Sequence, residues 1–463
     1  MPDSTIAQAI AKFGLGLRFD RLPDPVVHEV KRRVIDSLGC AIGAYDSPPA
    51  LAARAIGPHI NGNTEPCAAI IGSHTTTPEH AAFVNGVMMR YLDWNDTYLS
   101  LEPAHPSDNI STALACAQSA GRSGAELIAA IVAAYEVQCR LCDCASLRAH
   151  GFDHVGYGSF SSTLAAAMLL RLSETETVHA LGIAGVTSPA LRQTRAGELS
   201  MWKGAAFANA ARGAVFAARL AKAGMTGPAP VFEGEFGVMK VLTGRFQPPN
   251  LTAASSDDFK ILDTYIKYYP AEYHGQSAIE AAIEISRELD GNIANIESIV
   301  VTTFKAAYDI IGSGQERWRP STRETADHSL PFLVASALMD GSLNLNSFSD
   351  ERLNNMQLAD IISKIKIKHD PALDPLYPAA MPNRVDVRLK SGESITGEFI
   401  YPKGHPKNPL TDGEVEAKFK GLGAWRYTDS EMDKILSRLW RLDEMADAGE
   451  VLELFETSAG LQR

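Results

Sequence analysis

The segment AELIAAIVAAYEVQCRLCDCASL, residues 125–147, decides the fold class of this chain. Apolar residues occupy nearly every position around its helical wheel, and many of them are small. A helix that is apolar on all sides must be covered on all sides, because any face left open would place apolar surface in water. The segment therefore predicts a buried α-helix at the centre of a mainly α protein.

Similar helical patterns fill the chain from Thr5 to about Gly227, and Gly or Pro residues separate many of them. The pattern changes after about Phe259, where alternating β-branched runs mix with amphipathic helical runs. Residues 383–402 are typical of a β-hairpin. Helical patterns return from residue 412.

We therefore predict a large, discontinuous all-helical domain, residues 1–259 and 404–463, with a smaller α+β domain, residues 260–403, inserted into it. Segments 248–259 and 401–409 are the candidate linkers. Two linkers on one side form a hinge, so we expect the α+β domain to act as a lid.

The charge balance excludes some classes of partner. Lys+Arg 43 against Asp+Glu 55 gives a net charge of -12, whereas a nucleic-acid partner requires a basic surface. The amino-terminal residues lack the layout of a signal peptide, and no run of about 18 apolar residues offers a membrane span. Six cysteines without paired spacing favour reduced thiols. We expect a cytoplasmic protein that binds no nucleic acid and no membrane.

The segment DWNDTYLSLEPAHPSDNI, residues 93–110, concentrates acidic, hydroxyl and imidazole groups between two apolar helical patterns. If the preceding helix continues through it, Asp93 and Thr97 share one helix face. Helical spacing would then separate Asp93 from Asp96 by about 300°, which disfavours a shared metal ion. The alternative is a Mg²⁺ or Mn²⁺ site with four ligands, Asp93, Asp96, His105 and Asp108.

The same segment predicts the start of a helix. Ser107 or Asp108 would cap a helix that begins near Asn109. His105 would then lie just before a helix amino terminus, where free N–H groups attract an anion. The alternative is that Ser107 and Asp108 act only as caps and that His105 is an ordinary loop histidine.

Two further segments place chemistry beside apolar helices. In GFDHVGYGSF, His154 lies among glycines on a loop that leads into an Ala-rich helix, although an ordinary turn histidine fits as well. Lys203 follows Trp202 and is otherwise surrounded by small apolar residues, so a solvated helix face is not expected. It would hold a carboxylate, unless its chain extends outward to water.

The remaining candidates are cations and histidines near predicted helix starts. Arg192 and Arg195 are weaker anion-binding candidates. Lys267 precedes His274, which lies just before a helical pattern, and His328 has a similar position. Each of these residues alone also fits a structural role. They would matter together if the α+β domain closes over a site.

Six motifs coincide in order with those of a known family, so the chain resembles the MmgE/PrpD family from about Asp36 to Phe419. The motifs are DWNDTYLSLEPAHPSDNI, the glycine-flanked His154, SMWKGAAFANAARGAVFAARLAKAGMTGP, YYPAEYHGQSAIEAA, ADHSLPFLVASALMDG and PKGHPKNPLTDGEVEAKF. The resemblance implies a homodimer in which each chain has a helical domain and an α+β lid, with the site between them. By motif it implies six site residues, Asp93, Thr97, His105, His154, Lys203 and His274.

The family includes 2-methylcitrate dehydratase, cis-aconitate decarboxylase and some epimerases. The run YLSLEPA between Thr97 and the HPS motif is similar to that of the dehydratase branch. The resemblance therefore implies a metal-independent dehydratase that forms 2-methyl-cis-aconitate from 2-methylcitrate and possesses no cofactor or iron–sulfur cluster. The alternatives are a decarboxylase or epimerase of a related polycarboxylate, or a non-catalytic tricarboxylate-binding protein. Phe332 departs from the family, in which many members have tyrosine.

The implied reaction makes definite chemical demands. Lys203 and helix amino termini, with Lys267 and Arg192 as further candidates, would hold the substrate carboxylates. His105 and His154 would serve as general acid and base, in an order that the sequence leaves open. Asp93 would orient or tune one of these histidines.

Overall fold

The computed structural model describes residues 4–60, 66–251 and 258–456. The fold in these ranges is mainly helical, with a small sheet region, as the apolar helical patterns predict. No helix in the described ranges is both long and apolar enough to cross a membrane. Much of the candidate linker 248–259 lies outside the described residues.

The first half of the chain is a layered helical array. The segment 125–147 forms a buried helix over Gly124–Cys144, as predicted, and a capping box between Ser123 and Glu126 fixes its start. The helices in this half are α1 Ile6–Gly16, α2 Asp24–Gly43, α3 Pro48–Ala55, α4 Pro78–Tyr91, α5 Asn109–Ser119, α6 Gly124–Cys144, α7 Val155–Leu169, α8 Glu174–Thr187 and α9 Trp202–Lys222.

The second half mixes helices with strands. Its helices are α10 Gln276–Leu289, α11 Lys305–Ile311, α12 Gln315–Trp318, α13 Arg323–Ala326, α14 Leu330–Asp340, α15 Asp350–Leu353, α16 Met356–Ser363, α17 Asp412–Gly423, α18 Asp429–Leu439 and α19 Glu450–Glu453. The strands of the whole described chain are β1 Ala68–Ala69, β2 Thr75–Thr76, β3 Asp96–Thr97, β4 Tyr265–Ile266, β5 Ile296–Thr303, β6 Ile365–His369, β7 Asn383–Leu389 and β8 Ser394–Phe399. The predicted hairpin is β7–β8.

The largest sheet has four strands in the order β6-β5-β7-β8. Strand β5 pairs with β6 in parallel and with β7 antiparallel, and Val301 faces Val385 across the second pair. Helix α10 covers this sheet closely, because a Cβ on Gly397 would lie 2.9 Å from the carbonyl oxygen of Ala281. Glycine at this position of β8 therefore permits the helix to approach the sheet.

Two large hydrophobic cores divide the molecule. One core joins the amino-terminal helices to the carboxy-terminal ones, and it includes Val415 and Phe419 of α17. There α17 packs directly against α2, since a Cβ on Gly39 would lie 3.2 Å from the Cα of Phe419. The other core belongs mainly to the sheet and to helices α10, α11, α14 and α16.

The expected helix through Asp93 and Thr97 is wrong. Helix α4 ends at Tyr91, and Asp93 takes a left-handed conformation with a φ of 53°. The chain then forms strand β3, in which Asp96 pairs with Ile266 and Thr97 with Tyr265 of β4. This pairing joins the start of the α+β part to the helical part, and it brings Lys267 next to Asp93.

Candidate active site

One cavity of about 540 Å³ lies between the helical part and the α+β part of the molecule. It brings together most of the residues that the sequence suggested. Those on its wall are Asp93, Thr97, His105, His154, Arg192, Arg195, Lys267, His274 and His328. Lys203 is not among the lining residues, and its ammonium group instead contacts Asp93 inside the protein.

Asp93 is the centre of a buried charge cluster. Its Oδ1 accepts hydrogen bonds from Arg90 Nη1 at 2.5 Å and from Lys267 Nζ at 2.6 Å. Its Oδ2 accepts from Lys203 Nζ at 3.2 Å. Burial alone would raise the pKa of this carboxyl, but the three cations hold that pKa well below its usual range. Asp93 is therefore ionised and supplies a counter-charge that these three cations share.

Lys203 bridges two carboxylates. Its Nζ also donates to Asp327 Oδ1 at 2.9 Å, and Asp327 in turn lies 2.6 Å from His328 Nδ1. Burial, and then the charge of Lys203, lower the pKa of His328. With its ammonium group held by two internal carboxylates, Lys203 is better placed to fix Asp93 than to contact a substrate.

A metal-ligand set of Asp93, Asp96, His105 and Asp108 does not assemble. The carboxylate of Asp96 is bound by the Ser107 N–H at 2.9 Å and by the Tyr135 hydroxyl at 2.7 Å. In the described part of the chain, one group brings three such ligand atoms within 4.8 Å, and it consists of Asp93, Asp327 and His328. The ammonium group of Lys203 already binds both carboxylates of that group.

The predicted helix start near Asn109 is confirmed, and Asp108 occupies its N-cap position, but without the side-chain hydrogen bond of a cap. A short 3-10 turn over Pro106–Asp108 precedes α5, and Asp108 makes no capping hydrogen bond. Its Oδ1 instead accepts from Asn95 Nδ2 at 2.8 Å. Burial raises the pKa of Asp108 to about 7.

His105 has partners at both ring nitrogens. Its Nδ1 lies 2.7 Å from the carbonyl oxygen of Asp96, which can only accept, so Nδ1 carries the proton. Its Nε2 then accepts from Arg90 Nη2 at 2.8 Å. Burial, followed by the charges of Arg90 and Lys267, lowers the pKa of His105 well below its ordinary value. The ring is held neutral, with Thr97 Oγ1 3.2 Å from Nδ1.

His154 has one held nitrogen and one free nitrogen. It precedes α7, as the sequence predicted, and its Nδ1 lies 2.8 Å from Asp153 Oδ1. Arg195 Nε donates to the other oxygen of Asp153 at 3.0 Å. The Nε2 of His154 is buried and has no hydrogen-bond partner among the described residues, and burial lowers the pKa of the ring. A neutral imidazole with an unshared Nε2 on a cavity wall suits a general base.

His274 forms a second carboxylate–histidine pair on the α+β side. Its Nδ1 lies 2.5 Å from Glu272 Oε1, and its backbone N–H donates to Glu272 Oε2 at 2.8 Å. The Nε2 of His274 is also buried without a hydrogen-bond partner. With the Asp327–His328 pair, the cavity wall therefore has three carboxylate–histidine pairs, of which His154 and His274 have an unpartnered Nε2 among the described residues.

The wall carries more positive than negative groups. Six cationic side chains line it, namely Arg90, Arg148, Arg192, Arg195, Lys267 and Arg317. Arg317 comes from α12 on the α+β side, and it is only 6% exposed. Its Nε and Nη1 are buried without a hydrogen-bond partner in the described part of the chain, and burial lowers the pKa of its guanidinium. An unpaired buried guanidinium is suited to a carboxylate, which accepts two parallel hydrogen bonds.

Phe332 does not line the cavity. The side chain lies in the core of the α+β part, where its ring stacks on Phe348 with 5.8 Å between centroids. Its backbone N–H donates a hydrogen bond to Ser329 Oγ, which caps the start of α14. The absent tyrosine hydroxyl at this position therefore concerns the core and not the cavity wall.

Sequence reasoning did not single out several of these residues. Asp153, Glu272 and Asp327 each precede a histidine by one or two positions, and an acid at that spacing is a signal that would have found them. Arg90 lies within an ordinary helical pattern, and Arg317 lies in a polar segment with no motif. No local signal distinguishes either arginine.

Comparisons with known proteins identify the family of this chain. A model of the MmgE/PrpD N-terminal domain matches residues 8–250, and a model of the MmgE/PrpD C-terminal domain matches residues 269–442. The chain is 30% identical to the 2-methylcitrate dehydratase of Salmonella typhimurium, over 91% of each chain. It is 30% identical to the 2-methylcitrate dehydratase of Cupriavidus necator, over 87% of each.

A fungal relative is named for a related substrate. The chain is 28% identical to an alkylcitrate dehydratase of Talaromyces stipitatus, over 87% of each chain. These matches confirm the family resemblance and, with it, the prediction of a lyase. The chain belongs to the MmgE/PrpD family.

Proposed function

We propose that this protein is a metal-independent dehydratase that removes water from 2-methylcitrate to give 2-methyl-cis-aconitate. The observation that carries the proposal is a single cavity that joins six cationic side chains to a histidine with a free Nε2. A tricarboxylate requires fixed positive groups, and loss of water requires a base beside an acidic proton. The names of the bacterial relatives support the same substrate.

The chemical step divides between fixed charges and a base. His154 Nε2 takes the proton from the carbon next to a carboxylate, while the Asp153 carboxylate holds Nδ1. The negative charge that develops on the substrate carboxylate is met by cations already in place, such as Arg195 and Lys267. His105, whose ring nitrogens both have partners, is better suited to hold Arg90 and Thr97 in position.

The cations on the cavity wall, and not Lys203, bind the substrate in this proposal. Lys203 fixes Asp93, and Asp93 fixes Arg90 and Lys267. Arg192 of the helical part and Arg317 of the α+β part, which both line the cavity, then hold substrate carboxylates. This division explains why a buried lysine belongs to the site although it does not reach the ligand.

A longer alkyl branch is the second candidate. The fungal relatives are called alkylcitrate dehydratases, and part of the cavity wall here is apolar. The apolar lining residues include Leu99, Pro103, Leu199, Ala306 and Ile310. Such a wall would accept a methyl group and larger alkyl groups, since it offers no polar partner that would be left unsatisfied.

The proposal is tested by enoate absorbance after purified, EDTA-treated protein is mixed with 2-methylcitrate, citrate and a longer 2-alkylcitrate. We expect absorbance to rise with 2-methylcitrate and to rise more slowly with citrate. A faster rise with the longer substrate would favour the alkylcitrate assignment. Silence on all three would contradict a dehydratase.

The domain arrangement remains part of the proposal. We propose that residues 1–259 and 404–463 form one helical domain and that residues 260–403 close over the cavity as a lid. The packing of α17 against α2 supports the first part, and the position of the cavity supports the second. From the family we also propose a homodimer in the cytoplasm.

A further inference from the structure

We propose that His274 is the general acid that protonates the departing hydroxyl, and that Glu272 is its positioning residue. The inference rests on the proposed dehydration and names the second proton-transfer group of that reaction. It gives the α+β side a chemical role in addition to ligand binding.

The backbone around His274 is fixed on both sides. The residue lies in a 3-10 turn, Tyr273–Gly275, directly before α10. Its N–H is bound by Glu272, and its carbonyl oxygen accepts from Asn383 Nδ2 at 2.9 Å. The ring lies 5.6 Å from the ring of Phe304 and 5.5 Å from that of Tyr377, centroid to centroid. A ring held by packing and hydrogen bonds is preorganised for transfer of a proton at a defined atom.

Glu272 determines which nitrogen exchanges the proton. An ionised carboxylate only accepts hydrogen bonds, so Nδ1 keeps its proton and Nε2 is the exchangeable position. Burial would raise the pKa of Glu272, but His274 and other nearby cations hold that pKa below its ordinary value. A carboxylate at this distance holds the ring by Nδ1, so a proton can be transferred only at Nε2.

The histidine pairs of His154 and His274 differ in how their carboxylates are used. Asp153 is shared between His154 and Arg195, so its charge is already neutralised by a permanent cation. In the described part of the chain, neither a lysine nor an arginine forms an ion pair with Glu272. The charge of Glu272 is therefore available to His274. This difference assigns the base to the helical side and the acid to the α+β side.

The step balances with these two groups alone. His154 Nε2 takes the proton from carbon, and the C–H electron pair forms the C=C bond. The C–O bond breaks, and the hydroxyl oxygen takes the Nε2 proton of His274 and departs as water. His154 ends protonated and His274 ends neutral, and exchange with solvent restores both.

The test compares two leaving groups in one site. A substrate analogue with fluorine in place of the tertiary hydroxyl needs a base but little help from an acid, because fluoride is a weaker base than hydroxide. His274 would then be required for 2-methylcitrate but not for the fluorine analogue. We expect His274→Gln to lower kcat for 2-methylcitrate by about 10²–10⁴-fold. We expect its fluoride elimination to stay within about tenfold of the wild type, because the base is intact.

Two further variants serve as controls. His154→Gln should lose both reactions, because both require the base. Glu272→Gln removes the carboxylate but keeps an oxygen acceptor, so we expect the same selective loss of activity on 2-methylcitrate. This variant provides the test if His274→Gln folds poorly. Equal losses on both substrates, or a rise in KM alone, would overturn the acid assignment. A wild type inactive on 2-methylcitrate would overturn the proposed function itself.

Discussion

The two sides of the cavity hold their charges differently. On the helical side, Asp93 forms an ion pair with Arg90, and Asp153 forms one with Arg195. On the α+β side, the buried Nε and Nη1 of Arg317 have no hydrogen-bond partner among the described residues. Asp93 and Asp153 are therefore already paired with cations, whereas Arg317 still lacks an acceptor for these two nitrogens.

This difference suggests how binding and chemistry are divided. A buried cation without a partner destabilises the protein, because it has lost its hydration. A substrate carboxylate that pairs with Arg317 would offset that cost, so the ligand itself would stabilise the approach of the two sides. The paired charges of the helical side need no such rearrangement when the substrate arrives.

The largest effect is expected at the centre of the helical side. Asp93→Asn would leave Arg90, Lys203 and Lys267 without their shared counter-charge, and asparagine tolerates the left-handed backbone there. We expect the free energy of unfolding, measured by denaturant titration, to fall by about 3–5 kcal/mol. Asp360→Asn, which breaks an exposed pair with Lys364, should cost less than about 1 kcal/mol. Equal losses would contradict the distinction.

The next effect concerns the base. His154→Gln should lower kcat for 2-methylcitrate by about 10²–10⁴-fold with little change in KM, because the lost group acts in proton transfer. Steady-state kinetics would check this expectation.

Lys203→Met is the contrasting variant. We expect this variant to have a lower free energy of unfolding and a nearly unchanged KM. The lost ammonium group of Lys203 contacts Asp93 and Asp327, and Lys203 does not line the cavity. A rise in KM without a loss of stability would restore Lys203 to the substrate.

These assignments also show what local sequence can and cannot predict. The apolar pattern of residues 125–147 correctly predicted a buried helix, because periodicity within one segment determines which faces must be covered. The hairpin β7–β8 was predictable for the same local reason. The low-polarity surroundings of Lys203 correctly indicated burial, and the side chain is indeed 1% exposed.

The remainder depends on contacts between distant segments. The helix expected through Asp93 ends early because β3 pairs with β4, about 170 residues further along the chain. The partners of Lys203 are Asp93 and Asp327, which lie 110 and 124 positions away. No periodicity or motif encodes such pairs. Tertiary hydrogen bonding decides them.

Two arginine variants test the difference between the two sides of the cavity most directly. Arg317→Met removes a guanidinium that has unpartnered nitrogens, so stability should be kept while KM rises by about 10- to 100-fold. Arg195→Met would leave the buried carboxylate of Asp153 without its permanent cation. We expect that variant to lose on the order of 3 kcal/mol of unfolding free energy. The reverse order of stability would show that the two sides do not differ as described.

The smallest effect concerns pH. Burial lowers the pKa of His154 below its ordinary value of 6.5, so the neutral base persists as the pH falls through 6.5. Activity that depends on the neutral form is present above the lowered pKa and is lost as the pH falls through it. We therefore expect the acid limb of kcat/KM to lie below pH 6.5. An acid limb above that value would contradict a base held neutral by burial.

The most direct test of the central claim is a ¹³C NMR time course of 2-methylcitrate with EDTA-treated protein. This measurement distinguishes loss of water, loss of carbon dioxide and inversion of a stereocentre in a single sample. The account predicts that 2-methyl-cis-aconitate accumulates without bicarbonate. Bicarbonate, an epimer of the substrate, or an unchanged spectrum would contradict it.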